Sequence, residues 1–324
     1  MLSLLKAEYK QLFKSIYFYI VLIGAVIVNL AVVLEELIAL TITYRVDEAD
    51  YYVTIDYYFC SNIMIMLFVS MCFIPFYIGK DFSNRTINNK IIGGAKRSQI
   101  FLSKFIVCSS AVLIIQTAAD IMVIVVSLIF TSGQPHSLFD NSMFDLFIIK
   151  FGFAAAVVGY SALNVLLSMC IGTRKYAVLS AFLVYVIMIS ASKNVHFTVL
   201  PEETQWKIYD DFLEEHEVDF IKTDENGERI PMTHAEIVQL TLDIEREACP
   251  LYEQAKGSML SGAKKYCLLF LDDVLPLAQY YDSVQWVYAG KASPLFFRYT
   301  VYNTVFTAIF LTTGVFIFKR KDLK

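Results

Sequence analysis

Long apolar stretches alternate with short polar segments along most of the chain. A helix that crosses a lipid bilayer needs about 20 mainly apolar residues, because the hydrocarbon core is roughly 30 Å thick. Six stretches reach or nearly reach this length, the fifth only by borrowing flanking residues: Ile16–Leu34, Phe59–Ile78, Phe105–Phe130, Leu146–Ile171, Tyr176–Ser190 and Phe297–Phe318. The pattern therefore predicts an all-α integral membrane protein with six transmembrane helices.

The N-terminal residues follow a different pattern. In residues 2–14 the apolar side chains share one helical face, while Lys6, Lys10 and Lys14 repeat at intervals of four. A basic amphipathic helix that precedes a span is typical of a helix lying in the membrane interface. The alternative is the solvated first turn of a longer span. The regular polar stripe favours the interfacial helix.

Composition and charge agree with a membrane protein and predict its orientation. The chain is 57% apolar and only 18% charged. Basic residues gather in the N-terminal segment, the loop between spans two and three, the turn between spans four and five, and the C-terminal tail, whereas the other loops are acidic. Because basic loops stay in the cytoplasm, both termini are expected to be cytoplasmic.

A segment of about a hundred residues separates the fifth and sixth spans. Residues 193–294 hold 19 acidic and nine basic residues, a net charge of −10. Pro201 favours a helix start, Asn226-Gly227 a short hairpin, and a helix is expected from about His234 to Ala248, ended by Pro250. We expect a mainly α, acidic extracytoplasmic domain. The predicted units are 1–191 (interfacial helix and spans one to five), 192–294 (the acidic domain) and 295–324 (the sixth span and basic tail).

The motifs of several site classes are absent from the sequence. Gly93-Gly94-Ala95-Lys96 lacks the spacing of a phosphate-binding P-loop, so the chain is not expected to hydrolyse ATP alone. A calcium-loop frame around Gly227 would place Lys222 and Thr233 where carboxylates are needed. The four histidines show no metal-ligand pairing. We therefore expect no catalytic residues, no metal and no cofactor in this chain, and no nucleic-acid partner.

One carboxylate falls deep inside a predicted span. Asp120 needs a partner or a wet cavity at that depth, and Lys150 is its best candidate partner. One hypothesis gives Asp120 a role in a translocation path or a proton relay. The other is a structural ion pair that fixes the helix register, and a single acid favours this second hypothesis.

Two cysteines lie in the predicted outer domain. Cys249 and Cys267 would both face an environment in which a disulfide bond persists. Their spacing does not decide whether the bond forms, and both states stay open.

The loop Gly79–Lys104 combines strong charge with an ordered pattern. It contains six Lys or Arg residues and one acid. Asp81 or Ser83 could cap a short helix along the membrane surface, with Ile87 and Ile91 on one face. Its polar face would point to the cytoplasm: Arg85, Asn88 and Asn89. The loop is thus either a docking surface for a cytoplasmic partner or a solvated basic loop that only sets topology.

This loop and the tail carry a family resemblance. The chain resembles the permeases of the type-two ABC exporter superfamily in the order of these residues: Phe76 through Asp81, Arg85-Thr86, Lys90, Lys96-Arg97 and Lys104. The small bacterial permeases associated with antimicrobial-peptide and bacitracin resistance are the most similar, and the tail Phe316–Asp322 resembles their ending. The outer domain is much larger than in those small permeases, which leaves the substrate open.

The resemblance implies a membrane subunit in the bacterial cell membrane, with two permease copies and a homodimeric cytoplasmic ATP-binding subunit. The loop would hold the coupling helix that contacts the ATPase, with these candidate residues: Asp81, Arg85, Thr86, Asn88 and Asn89.

The expected function is ATP-driven export or expulsion of a cationic or amphipathic peptide or antibiotic, attracted by the acidic outer domain. Membrane lipids are the other expected contact. Two alternatives remain. One is a membrane sensor or interaction protein whose outer domain binds a ligand. The other is an ion-coupled secondary transporter that uses Asp120.

Overall fold

The computed structural model describes residues 1–43, 62–131, 143–215, 221–223, 229–231, 234–276, 278–281 and 295–320. Apart from one small hairpin, the regular structure of these residues is helical. The helices and strands are, in chain order, α1 (Leu2–Phe13), α2 (Ile16–Thr43), α3 (Ile63–Ser83), α4 (Thr86–Ile92), α5 (Arg97–Thr131), α6 (Met143–Ile171), α7 (Arg174–Val199), α8 (Glu202–Glu215), β1 (Ile221–Thr223), β2 (Arg229–Pro231), α9 (His234–Ala255), α10 (Gly262–Val274) and α11 (Leu295–Arg320).

Six of the described helices are long and apolar enough to cross a membrane: α2, α3, α5, α6, α7 and α11. This confirms the six apolar helices that the sequence predicts and fits a multi-pass membrane protein. The helices extend beyond the predicted apolar stretches, most clearly in three cases: α2 continues to Thr43, α5 begins at Arg97 and α7 continues to Val199. The predicted start of the acidic domain, residue 192, therefore lies inside α7. No glycine or proline occurs between Ser190 and Pro201 that would end the helix earlier.

Several predicted features lie outside the described residues. They are the start of the second span at Phe59, the acidic loop of 44–58, Asp140, the hairpin tip at Asn226-Gly227, residues 282–294 of the outer domain, and the last residues of the basic tail.

The bundle is built around α3 and α6. Ile63, Phe73 and Ile74 of α3 are fully buried, and α6 buries Ile149 and Val157 in the same core. The close approach of α6 to α11 depends on small residues. A Cβ atom on Gly152 would lie 3.3 Å from Phe296, and one on Gly159 would lie 3.2 Å from Thr307. These glycines therefore allow tight packing between two helices of the chain.

The surrounding helices expose apolar side chains, as expected of surfaces that face lipid. Ile20 of α2, Phe182 of α7 and Phe297 of α11 are 59%, 50% and 76% exposed.

Contacts between helix ends show which ends lie together. Arg97, at the start of α5, donates a hydrogen bond to the carbonyl of Lys319 near the end of α11, with an N–O distance of 3.2 Å. Arg174, at the start of α7, donates to the Tyr17 hydroxyl at the start of α2, at 3.4 Å. The first residues and the described end of α11 therefore lie at the same end of the bundle, which we call the terminal end.

The opposite end carries α8, the hairpin, α9 and α10. β1 and β2 pair antiparallel, with Lys222 opposite Ile230, which confirms the predicted hairpin. α9 does not end at Pro250 as predicted but continues to Ala255. Ala248 and Tyr252 pack against Leu200 on either side of that proline, so tertiary packing maintains the helix.

Polar contacts attach this outer region to the spans. Asn303 of α11 donates to the Gln279 side-chain oxygen at 3.0 Å, and Arg298 pairs with Asp273 of α10. Burial raises the pKa of the Asp273 carboxyl, although the neighbouring Arg298 guanidinium opposes this effect.

Candidate functional site

A short helix lies across the terminal end of the bundle between α3 and α5. The chain enters it through Arg85, which has a left-handed backbone with φ of 55°. A non-glycine residue in this region is uncommon and typically occurs where surrounding contacts enforce it. α4 follows from Thr86 to Ile92, and Gly94, with φ of 89°, turns the chain toward α5. The predicted short helix and its Gly-Gly stop are confirmed. The predicted cap is wrong, because Arg85 precedes the helix and both Asp81 and Ser83 belong to α3.

The inner face of α4 is fixed to the bundle by apolar contact. Ile87 is fully buried, and Ile91 packs against the same core. The two side chains are four residues apart and therefore share one face of the helix, as predicted.

Four charged side chains, buried or nearly buried, connect α4 to the helices on which it lies. They come from four different helices and form what we call the anchor cluster: Glu8 of α1, Asp81 of α3, Lys90 of α4 and Lys104 of α5. The Glu8 carboxylate contacts the Lys90 and Lys104 ammonium groups, each at 2.5 Å. Asp81 pairs with Lys104 and lies 3.6 Å from the Lys90 nitrogen. Two acids and two bases thus balance in formal charge.

Burial makes the anchor cluster a rigid connection. The side chains of Glu8 and Lys104 are both 0% exposed, and that of Asp81 is 1% exposed. The Tyr77 ring lies below Lys104, 4.6 Å from its nitrogen, and the Gln11 amide donates to Asp81. Removal of one member would leave another charge buried without full compensation, which is strongly destabilising. A displacement of α4 must therefore move α1, α3 and α5 or break these pairs.

The outer face of α4 is open. Asn89 and Ile92 are exposed and lie three residues apart on one face of α4, and Arg85 is exposed directly before the helix. Ile92 is 83% exposed and adds an apolar side chain to these polar ones. Thr86 and Asn88 are partly exposed at the edge of this face. We call Arg85, Asn89 and Ile92 the outer stripe.

One predicted member of this surface lies elsewhere. Asp81 belongs to α3 and is buried in the anchor cluster, so its assignment to the surface helix is corrected. Its carboxylate turns inward because Lys104 needs a counter-charge. The sequence reasoning also missed Glu8 and Lys104 as site residues. The sequence does contain one indication, because Glu8 is the single acidic residue of the otherwise basic α1.

The intramembrane polar residues form a separate pair near the other end of the bundle. Lys150 Nζ lies 2.8 Å from Asp120 Oδ1, and the Asn62 amide donates to the same oxygen at 2.5 Å. The pairing of Asp120 with Lys150 is as predicted. Both side chains are mostly buried, 15% and 13% exposed, so the contact ties α3, α5 and α6 together.

An apolar groove of about 450 Å³ lies between α2, α3 and α7. Gly24 and Val28 line it from α2, Phe68 and Cys72 from α3, and Tyr185 from α7. Its size falls within the range of small-molecule sites, and its lining suits acyl chains or apolar side chains.

Cys249 and Cys267 are not joined by a disulfide bond. Both are thiols, with Cys249 buried in α9 and Cys267 exposed on α10. In the part of the chain that the structure describes, no group of three or more His, Cys, Asp or Glu side chains is arranged to hold a metal ion.

Comparison of the chain with protein-family models, curated proteins and solved structures finds no match.

Proposed function

We propose that this chain is the membrane-spanning permease subunit of an ATP-driven transporter, and that a separate cytoplasmic ATP-binding subunit docks on α4. The observation that carries the proposal is the combination of an open outer stripe with a buried anchor. A loop that only set topology would need neither an exposed Ile92 nor four charged side chains engaged beneath it.

The anchor cluster supports a role in transmitting force. Lys90 of α4 and Lys104 of α5 both contact Glu8, so the surface helix, the interfacial helix and a span share one carboxylate. Separating a buried ion pair typically costs about 3–5 kcal/mol. Closure of an ATP-binding dimer against α4 would therefore move α1, α3 and α5 together and rock the bundle between two states.

The orientation and the assembly are parts of the same proposal. The terminal end carries the basic loops and would face the cytoplasm, in agreement with the distribution of positive charge. α8, α9 and α10 would then lie outside the cell. The complete transporter would contain two permease copies and two ATPase copies in a bacterial plasma membrane.

The proposed cargo is a cationic or amphipathic peptide or antibiotic. The acidic outer segment, with a net charge of −10 over residues 193–294, would attract cations from solution. The groove between α2, α3 and α7 offers an apolar surface for the lipid-soluble part of such a molecule. Export from the outer leaflet fits both features.

Co-purification with a charge-reversal variant tests the docking proposal. The full chain, extracted in a mild detergent, should retain a P-loop ATPase of stable stoichiometry that mass spectrometry identifies. Arg85→Glu reverses a charge on the outer stripe and should release this ATPase while the spans stay inserted. Lys6→Glu reverses an exposed charge on α1 and serves as the matched control.

Two results would contradict the proposal. One is the absence of any bound ATPase, which would favour a sensor or interaction protein. The other is equal retention of the ATPase by wild type and Arg85→Glu.

A further inference from the structure

A second feature of the terminal end is a cleft where α1 meets the end of α3. It has a volume of about 380 Å³ and is lined by Lys10, Gln11, Lys14 and Ser15 from the N-terminal segment and by Lys80 from α3. This volume lies within the range of small-molecule sites. The cleft is separate from the outer stripe of α4.

Positive charge dominates the cleft. Lys10, Lys14 and Lys80 all line it, and none of them pairs with a carboxylate of the described residues. The nearest acids along the chain, Glu8 and Asp81, are buried in the anchor cluster and engaged by other lysines. The three ammonium groups therefore lack a counter-charge from the described chain.

Ser15 provides a second, independent observation. It connects α1 to α2, and its backbone N–H and carbonyl are both used, with Leu12 and Phe18. Ser15 lines the cleft and is only 4% exposed, and its side-chain hydroxyl is buried without a hydrogen-bond partner among the described residues. A buried hydroxyl without a partner is costly, so it would gain a hydrogen bond from a polar group that enters the cleft.

The depth of the cleft indicates the source of that group. Immediately after Ser15, the apolar side chains of Ile16 and Ile20 are 66% and 59% exposed, as expected at the level of acyl chains. Lys10 on the preceding helix and Lys14 directly after it are exposed, as expected at the level of the head groups. With α2 spanning a bilayer, the cleft would lie at the boundary where lipid phosphates are found.

We propose that this cleft binds the phosphate group of an anionic phospholipid from the adjacent leaflet. The three lysines contact the phosphate oxygens, and the Ser15 hydroxyl donates a hydrogen bond to one of them. A head group without a cation fits the site, whereas the quaternary ammonium of a choline head group meets three like charges. The bound lipid fixes α1 beside the anchor cluster. This proposal does not depend on the docking of an ATPase.

Native mass spectrometry of the purified full chain tests the proposal. The probes are dioctanoyl phosphatidylglycerol, dioctanoyl phosphatidylcholine and inorganic phosphate, each titrated separately. We expect binding of phosphatidylglycerol, at least tenfold weaker binding of phosphatidylcholine, and no displacement of the bound lipid by millimolar phosphate. Removal of one basic residue near a charged lipid surface should weaken binding about fivefold, so Lys10→Gln with Lys80→Gln should weaken it about 25-fold.

Two further variants separate a built site from general surface attraction. Lys6→Gln removes an exposed lysine from the same helix but outside the cleft, and should change affinity less than twofold. Ser15→Ala should weaken lipid binding without lowering the unfolding temperature of the lipid-free protein. Lys10→Arg keeps the charge and should retain binding.

The proposal is overturned if Lys6→Gln weakens binding as much as Lys10→Gln, because the attraction is then diffuse. It is also overturned if phosphatidylcholine binds equally well. Displacement of the lipid by inorganic phosphate, with the same lysine dependence, would assign the site to a free anion instead of a lipid.

Discussion

Glu8→Gln is the substitution that tests the anchor cluster most severely. Glutamine has nearly the same size and shape as glutamate, so the substitution removes a charge and leaves the packing in place. In the native protein Glu8 contacts Lys90 and Lys104 at 2.5 Å each, and its own side chain is 0% exposed. The variant leaves two ammonium groups with only Asp81 as a counter-charge.

The size of the effect follows from distance and burial. At an effective dielectric constant of about 20, each 2.5 Å contact represents roughly 6–7 kcal/mol of Coulomb energy before desolvation is subtracted. Since Lys104 is fully buried, breaking its pairing is expected to lower the free energy of unfolding by about 3–5 kcal/mol. This corresponds to a decrease of about 5–15 °C in the unfolding temperature.

Two assays report the loss. In a background with the other five cysteines replaced by serine, a thiol-reactive dye follows thermal unfolding through Cys108, which is fully buried one helical turn beyond Lys104. Limited trypsin digestion follows α4 itself, and cleavage after Arg85 should become faster in Glu8→Gln. A double-mutant cycle with Lys104→Gln should give a coupling free energy of about 1–3 kcal/mol, because the double variant regains charge balance.

Asp273→Asn supplies the matched control, since it breaks an ion pair with the exposed Arg298. The Arg298 side chain is 45% exposed and burial opposes the charge on Asp273, so the substitution should change the free energy of unfolding by about 1 kcal/mol or less. If Glu8→Gln is no more destabilising than Asp273→Asn, and trypsin cleaves both variants alike, the anchor cluster does not hold α4.

Three other predictions follow from contacts elsewhere in the bundle. Gly79→Ala would place a Cβ atom 2.8 Å from Arg174 Cβ and should lower the free energy of unfolding by about 1–3 kcal/mol in the same dye assay. Gly24→Ala is the control, because its Cβ atom would have no atom within 4 Å, and it should leave the free energy of unfolding nearly unchanged. Asp120→Asn should lower the unfolding temperature but keep ATP-driven transport within about twofold of wild type if the pair with Lys150 is structural; transport lost in a correctly assembled variant would instead place Asp120 in the path. The folded state raises the pKa of Asp273 above its ordinary value of 3.8, so the protein should lose stability as the pH rises through the interval above that value. Asp273→Asn should flatten this part of the curve of unfolding free energy against pH. An unchanged curve would contradict the assignment.

The sequence predicts those parts of the fold that depend on local pattern. Six apolar helices, the amphipathic α1 and the short α4 all follow from the length or spacing of apolar residues, and the structure confirms them. The hairpin is predicted because Asn-Gly pairs favour tight turns. Pro250 shows the limit of local rules, because packing of Ala248 and Tyr252 against Leu200 keeps α9 helical through the proline.

The anchor cluster could not be predicted in the same way. Glu8 and Lys104 are 96 positions apart, and their contact exists only once α1 packs against α5. Local preference predicts a helix cap at Asp81, but its carboxylate pairs with the buried Lys104 instead. The outer stripe was partly predictable, since Arg85 and Asn89 follow from periodicity, whereas the exposure of Ile92 depends on where α4 lies on the bundle.

Site-specific photo-crosslinking in native membranes tests the central claim most directly. A photoreactive amino acid at Asn89, on the outer stripe, should form an adduct with a P-loop ATPase. The same amino acid at Trp206, which is 63% exposed on α8 at the opposite end, should not form this adduct. An ATPase adduct from Asn89 alone is the predicted result. No ATPase adduct from Asn89, or the same adduct from Trp206, would contradict the claim that α4 is the docking surface of an ATP-driven permease.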